Sequence, residues 1–149
     1  MKFHFYCCLT ACLFCIPESH AQGGVLWKFS FAEEGSVVII NMDALLGPGR
    51  HIYSQHIREG GPTPTRIAFS FDESCTPVGA IAEFGEAFRH YDERYDMEIT
   101  HYLGSVRFTQ LIRPNYYPIR INGMVRYMLC RDQVCAVGAK EFSLLIDKQ

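Results

Sequence analysis

The stretch Val25-Leu26-Trp27-Lys28-Phe29-Ser30-Phe31-Ala32 sets the pattern that governs the rest of the chain. Trp27, Phe29 and Phe31 stand at every second position, with smaller or polar residues between them. This period of two is typical of a β-strand with one buried face. The next apolar run, Val37-Val38-Ile39-Ile40, is β-branched throughout and predicts a strand buried on both faces or nearly so.

Similar short segments follow along the chain. Further strands are predicted at residues 51–57, 65–71, 78–84, 97–102, 105–112, 119–129 and 140–146. Turn signals rich in Gly and Pro separate several of them, at residues 47–49 and 60–64. Spacing of this kind predicts one antiparallel all-β domain, a sandwich or a barrel. Only residues 83–95 allow a helical turn or two, and their periodicity is weak.

Residues 1–21 have the pattern of a secretory signal peptide. A single Lys2 precedes an apolar stretch that ends at Ile16, and Ser19-His20-Ala21 supplies the small residues of a cleavage site. The apolar part is shorter than the roughly 20 residues that span a bilayer. We therefore expect cleavage after Ala21 and export to the periplasm, with residues 22–149 forming a single domain.

Export would change the cysteine count. Of seven cysteines only Cys75, Cys130 and Cys135 lie beyond residue 21, while the net charge of −2 is unchanged. An odd number of cysteines in an oxidising compartment implies one unpaired thiol or an intermolecular bond. The basic residues are scattered, which argues against a nucleic-acid surface.

The six residues Cys130-Arg131-Asp132-Gln133-Val134-Cys135 carry the main candidate for chemistry. Five steps of extended chain would separate the two Cα atoms by about 17 Å, whereas a disulfide requires less than about 7 Å. The chain must therefore turn back at residues 131–133. Closing so short a ring is worth about 2 kcal/mol, against about 4 kcal/mol for a link to Cys75. A short ring adds little stability, which favours a reducible pair.

Three alternatives remain open at this point. An immunoglobulin-type bridge from Cys75 to Cys130 or Cys135 has a suitable separation, but no Trp follows Cys75. A metal site would need more than this pair, and the histidines at 51, 56, 90 and 101 complete no recognised zinc pattern. We expect neither a metal nor another cofactor. The third alternative is a secreted β-sandwich that binds protein or carbohydrate through Tyr116-Tyr117 and has a purely structural Cys130–Cys135 bridge.

Several stretches resemble one family in consistent order. Gly49-Arg50-His51-Ile52-Tyr53-Ser54-Gln55 and residues 60–65 resemble the first half of the periplasmic N-terminal domain of the thiol:disulfide interchange protein DsbD. Residues 91–95, 104–108 and 123–130 continue the resemblance, so that it covers almost the whole chain after residue 21. The chain looks like the free-standing version of that domain, sometimes called a disulfide bond corrector domain.

The resemblance implies an immunoglobulin-like antiparallel β-sandwich that carries a redox-active cysteine pair. Such a domain takes electrons from a thioredoxin-like domain supplied by a membrane relay. It passes them to periplasmic oxidoreductases such as disulfide isomerases and the thioredoxins of cytochrome c maturation. No membrane or thioredoxin-like domain follows in this sequence, so we expect the electron donor to be a separate polypeptide. We also expect the domain to be a monomer.

The resemblance also assigns roles by position. Cys135 would form mixed disulfides and Cys130 would resolve them. The residues around the pair would be a cap with Tyr95 at its tip beside Asp92, Glu93 and Asp96, and a floor that contains His51 and Tyr53. Cations that would favour a thiolate are Arg131 and, if the fold brings them close, Arg94 or Arg126.

The sequence departs from the family pattern at four positions. Arg50 stands where related sequences often have Trp, and Ala136-Val137 stands where prolines are common. Cys75 has no counterpart in the pattern and would offer a competing partner for the pair.

Overall fold

The computed structural model describes residues 24–148, so the expected signal peptide and its four cysteines lie outside the described residues. Within that range the chain forms eight strands and no helix. The strands are β1 (Val25–Glu34), β2 (Val37–Leu46), β3 (Arg50–Tyr53), β4 (Arg66–Ser70), β5 (Cys75–Asp92), β6 (Met97–Pro114), β7 (Ile119–Arg131) and β8 (Val134–Ile146). No helix long and apolar enough to cross a bilayer occurs among residues 24–148.

The strands pair antiparallel throughout and form two layers. One layer has the order β1-β2-β6-β5, and the other contains β7 between β8 and β4. The short strand β3 pairs with both β6 and β7 and so joins the layers. The predicted single all-β domain with antiparallel strands is confirmed.

The core lies between the two layers and explains the alternation in the sequence. Phe29 of β1 stacks on Phe142 of β8 with ring centroids 4.3 Å apart, and Trp27 lies 5.5 Å from Tyr127 of β7. Along β2, fully buried residues alternate with half-buried ones. This strand therefore has one core face and one partly covered face, slightly less burial than its β-branched run predicts.

The strand boundaries differ from the prediction in the second half of the chain. The helical alternative for residues 83–95 is wrong, because β5 continues to Asp92 and pairs with β6 up to the turn. The predicted strands at 97–102 and 105–112 belong to the single strand β6. Pairing with β6 holds this end of β5 extended, although its mostly exposed side chains give no apolar period.

A change of partner along β6 creates the place where the cysteines lie. Residues 105–112 of β6 pair with β2, whereas residues 101–103 pair with β3. Gly104 lies between the two segments with φ of 68°, a conformation that glycine adopts without steric cost. β3 thereby lies beside both β6 and β7 at one end of the sandwich.

Candidate functional site

Cys130 and Cys135 form a disulfide across the β7–β8 hairpin. They are direct cross-strand neighbours with Cα atoms 4.1 Å apart, as in a non-hydrogen-bonded antiparallel pair. Arg131 and Val134 form the last pair, and Asp132-Gln133 closes the loop. Asp132 has φ of 54°, in the left-handed region that Asp tolerates in turns. The chain thus turns back within the predicted segment.

The two sulfur-bearing residues differ in their exposure. Cys130 is completely buried, whereas Cys135 is exposed. Val134 and Val137 beside Cys135 are 77% and 67% exposed, so apolar surface surrounds the accessible cysteine. A reactant from solution can therefore reach Cys135 but not Cys130.

Cys75 takes no part in the disulfide. It is free and buried in the core, where it lies opposite Pro114 at the end of the β5–β6 hairpin distant from the turn at residues 93–96. Burial raises the pKa of its thiol, which lowers its reactivity. The immunoglobulin-type pairing of Cys75 is therefore not adopted.

Two side chains of β3 lie next to the buried cysteine. His51 is the cross-strand neighbour of Cys130. The Tyr53 hydroxyl lies 3.7 Å from Cys130 Sγ and 3.4 Å from His51 Nε2. Because a disulfide sulfur carries no proton, the Tyr53 hydroxyl is the donor to Sγ in this state.

Two histidines and one phenylalanine continue this row from β3 onto β6 and β5. The ring of His101 lies 4.7 Å from that of His51, 5.4 Å from that of His90 and 5.8 Å from that of Phe88. Burial and the neighbouring histidines lower the pKa of His101 to about 4, and its buried Nδ1 has no hydrogen-bond partner. Burial and, secondly, His90 also lower the pKa of His51.

A second small cluster connects the β5–β6 turn with Tyr53. Buried Ile57, Met97 and Ile99 pack together, and Tyr53 and Tyr95 pack against them. Burial first, and then the neighbouring Tyr95 and Asp92, raise the pKa of Tyr53, so its hydroxyl remains a donor at neutral pH. Tyr95 and Tyr53 therefore pack against the same cluster, and Tyr53 in turn contacts Cys130.

The turn itself is held by its own polar residues. Asp92 accepts a hydrogen bond from the Arg94 backbone N–H at 2.9 Å, and the Tyr91 hydroxyl donates to Asp96. Asp96 has φ of 51°. Glu93 and Asp96 are exposed. This turn, residues 91–96, is termed the hairpin tip below.

Glu83 anchors the segment that follows β3. Its carboxylate accepts hydrogen bonds from the Ser54 hydroxyl at 2.7 Å, the Gln55 backbone N–H at 2.6 Å and the Tyr102 hydroxyl at 2.8 Å. Thr65 supports the same place by donating to the Tyr53 carbonyl at 2.6 Å. Together these bonds fix the backbone on which Tyr53 lies.

Replacement of Glu83 by Ala is expected to lower the free energy of unfolding by about 2–4 kcal/mol, because three donors lose a charged acceptor. Urea unfolding followed by fluorescence measures the change. Glu86→Ala, an exposed carboxylate on the same strand, is the matched control and should stay within about 0.5 kcal/mol of the wild type. Equal stability of the two variants would contradict the anchoring role.

Within residues 24–148, neither a metal site nor an arginine partner accompanies the disulfide. Among residues 24–148 no three His, Cys, Asp or Glu side chains converge as a metal site. In the same range, the side chains of Arg94, Arg126 and Arg131 make no hydrogen bond to either cysteine; Arg126 Nε contacts Met124 Sδ at 3.3 Å.

Comparison with solved structures places this arrangement on a known fold. The N-terminal domain of DsbD from Neisseria meningitidis, in its reduced form, matches with a TM-score of 0.56 and 14% identity over 83% of this chain and 86% of that chain. The N-terminal periplasmic domain of ScsB from Proteus mirabilis matches with a TM-score of 0.54 and 18% identity, over 80% of this chain and 44% of that chain. The chain has the fold of the DsbD N-terminal domain. The expected immunoglobulin-like sandwich is therefore confirmed.

Sequence comparison gives no such match. No protein-family model matches this sequence, and no curated protein matches it significantly. The likeness to the DsbD domain thus lies in the course of the backbone.

On this DsbD-like fold the site residues predicted from the sequence lie at different distances from the disulfide. His51 and Tyr53 lie beside Cys130, and Tyr95 lies one contact further away. Asp92 is near enough to influence Tyr53 electrostatically. Glu93 and Asp96, at the exposed hairpin tip, have no contact with either cysteine within the described part of the chain.

Sequence reasoning missed two features of this site. His101 was considered only as a metal ligand, although its position two residues after buried Ile99 puts it on the same face of β6. The sequence does not predict the anchoring role of Glu83, because a carboxylate between apolar residues of a strand ordinarily faces solvent.

Proposed function

We propose that this protein is a periplasmic thiol–disulfide exchange domain, and that Cys130 and Cys135 are its redox pair. The observation that carries the proposal is the unequal burial of the two cysteines at the end of a hairpin, on the fold of the DsbD N-terminal domain. A disulfide that only stabilised the domain would have no need of one exposed sulfur beside exposed apolar residues.

Exchange requires a thiolate to attack a disulfide sulfur. In the oxidised protein, a donor thiolate attacks the exposed Cys135 sulfur, the bond to Cys130 breaks and Cys130 leaves as a thiolate that takes up a proton. A second donor thiol then resolves the mixed disulfide and leaves Cys135 reduced. Towards an oxidised acceptor, Cys135 attacks first and Cys130 then attacks Cys135 to release the acceptor reduced.

The proposed partners follow from this exposure and from the likeness to the periplasmic N-terminal domains of DsbD and ScsB. Donor and acceptor are thioredoxin-like redox proteins, which present a single reactive cysteine sulfur to an exposed one. The donor is linked to a membrane electron relay, and the acceptors are periplasmic oxidoreductases. The apolar surface of Val134 and Val137 would lie against either partner.

Incubation of the oxidised protein with reduced thioredoxin tests the proposal. The thiols of Cys130 and Cys135 are expected to appear together, as counted by alkylation and mass spectrometry, while Cys135→Ala accepts no electrons. A pair that stays closed with thioredoxin, but opens with excess dithiothreitol, would contradict the proposal. It would then favour a secreted binding module with a structural bridge.

A further inference from the structure

We infer that His51 is the proton acceptor for Cys130, acting through the Tyr53 hydroxyl when Cys130 closes the disulfide. The inference rests on the proposed function, because it concerns the resolving step of that exchange. It assigns a chemical role to a histidine of β3 from its contact with the Tyr53 hydroxyl.

The first reason is that water cannot take the proton of Cys130. To attack Cys135 in a mixed disulfide, the Cys130 thiol must first become a thiolate, and a free thiol has a pKa near about 8.5. Cys130 has no exposed surface. In the described residues the polar side-chain atom at its sulfur is the Tyr53 hydroxyl, at 3.7 Å.

The second reason is that Tyr53 alone cannot keep the proton. Burial and neighbouring acidic groups raise the pKa of its hydroxyl, so the hydroxyl gains a proton only if it gives one away. His51 Nε2, 3.4 Å from that oxygen, is the group within reach that can accept it. The half-buried imidazole can then release a proton to solvent from Nδ1.

The step balances as follows. The S–H bond of Cys130 breaks and its proton passes to Tyr53 Oη, while the former hydroxyl proton passes to His51 Nε2. The Cys130 thiolate then forms the bond to Cys135 Sγ, and the bond from Cys135 to the partner sulfur breaks. The partner leaves as a thiolate, so the protein pair is oxidised by two electrons and the partner disulfide is reduced.

The surroundings keep His51 neutral and thus able to accept. From β6 it faces His101, whose ring is 4.7 Å away, and from β5 it faces His90. From the hairpin tip, Asp92 and Arg94 act on Tyr53 in opposite directions. Arg50, which precedes His51, pairs across the strands with Arg131, which follows Cys130. Burial and, secondly, His90 lower the pKa of His51 from its ordinary value, which favours the neutral imidazole.

The test uses the exported protein with Cys75→Ala, reduced and mixed with DTNB, a small aromatic disulfide whose released thiolate is coloured. Attack by Cys135 releases the first equivalent, and closure by Cys130 releases the second. The second phase therefore measures the resolving step, and the first phase is an internal control. The mass of the purified protein establishes its thiol count before mixing.

For the wild type we expect a second phase whose rate is flat around pH 7 and falls when the pH drops below the pKa of His51. Tyr53→Phe and His51→Asn should slow this phase about 100-fold at pH 7, a common size for general base catalysis. Their rates should then rise tenfold per pH unit, following the thiolate fraction. His56→Gln, at an exposed histidine outside the relay, is the control and should remain within about twofold of the wild type.

Wild-type rates and profiles in both Tyr53→Phe and His51→Asn would overturn the inference. Should a variant fail to fold, as loss of a cooperative urea unfolding transition would reveal, the wild-type profile decides: a tenfold rise per unit from pH 5 upward means that no base assists. Absence of any second phase would instead refute the proposed exchange function, so the two failures are distinguishable.

Discussion

Reduced protein treated with a small alkylating reagent such as iodoacetamide is expected to be modified at Cys135 at least about 100-fold faster than at Cys130. The reagent reacts with an accessible thiolate, and among the three cysteines of residues 24–148 only Cys135 is exposed. Cys75 should also be slow, because it is buried and burial raises the pKa of its thiol. Peptide mapping by mass spectrometry after timed quenching measures the three rates.

The matched control is the same labelling in denaturant, where the three cysteines should react at similar rates. Faster labelling of Cys130 than of Cys135 in the folded protein would show that reduction rearranges the hairpin. The assignment of Cys135 as the attacking residue would then be wrong.

The variant Cys130→Ala is expected to convert a transient complex into a stable one. With no resolving thiol, Cys135 should remain in a mixed disulfide with an oxidised thioredoxin-like protein at close to stoichiometric yield, against a trace for the wild type. Non-reducing gel electrophoresis followed by mass spectrometry of the linked peptides identifies both sulfurs.

Two controls accompany this experiment. Cys135→Ala should form little complex, because Cys130 is buried, and Cys75→Ala should behave as the wild type. Equal trapping through Cys75 would contradict the proposed pair. Equal trapping by Cys135→Ala and Cys130→Ala would contradict the division of roles between the two cysteines.

The antiparallel β-fold could be predicted because the residue patterns that specify its strands are short and continuous in the sequence. Apolar residues alternate at Trp27 and Phe29 and form a β-branched run from Val37 to Ile40. The structure buries the alternating faces of these strands. The pairing of β5 with β6 up to the hairpin tip was less predictable. Its outer end mixes polar and aromatic residues on both faces and has no apolar period, so the extended conformation there depends on a partner strand.

The site was predictable only in part. The turn between Cys130 and Cys135 followed from the reach of the chain, and the place of His51 and Tyr53 followed from resemblance. The contact between His51 and His101 depends on β3 inserting between β6 and β7, a long-range event without a local signal. The anchoring of Ser54 and Gln55 by Glu83, from a distant strand, is invisible in the sequence for the same reason.

The reduction potential of the Cys130–Cys135 pair tests the central claim most directly. The protein is equilibrated in thiol buffers of defined potential, and its free thiols are counted by alkylation and mass spectrometry. We expect both cysteines to convert together between roughly −180 and −270 mV, the range of known exchange proteins. A bridge that stays closed below about −300 mV would be a structural disulfide and would contradict the proposed function.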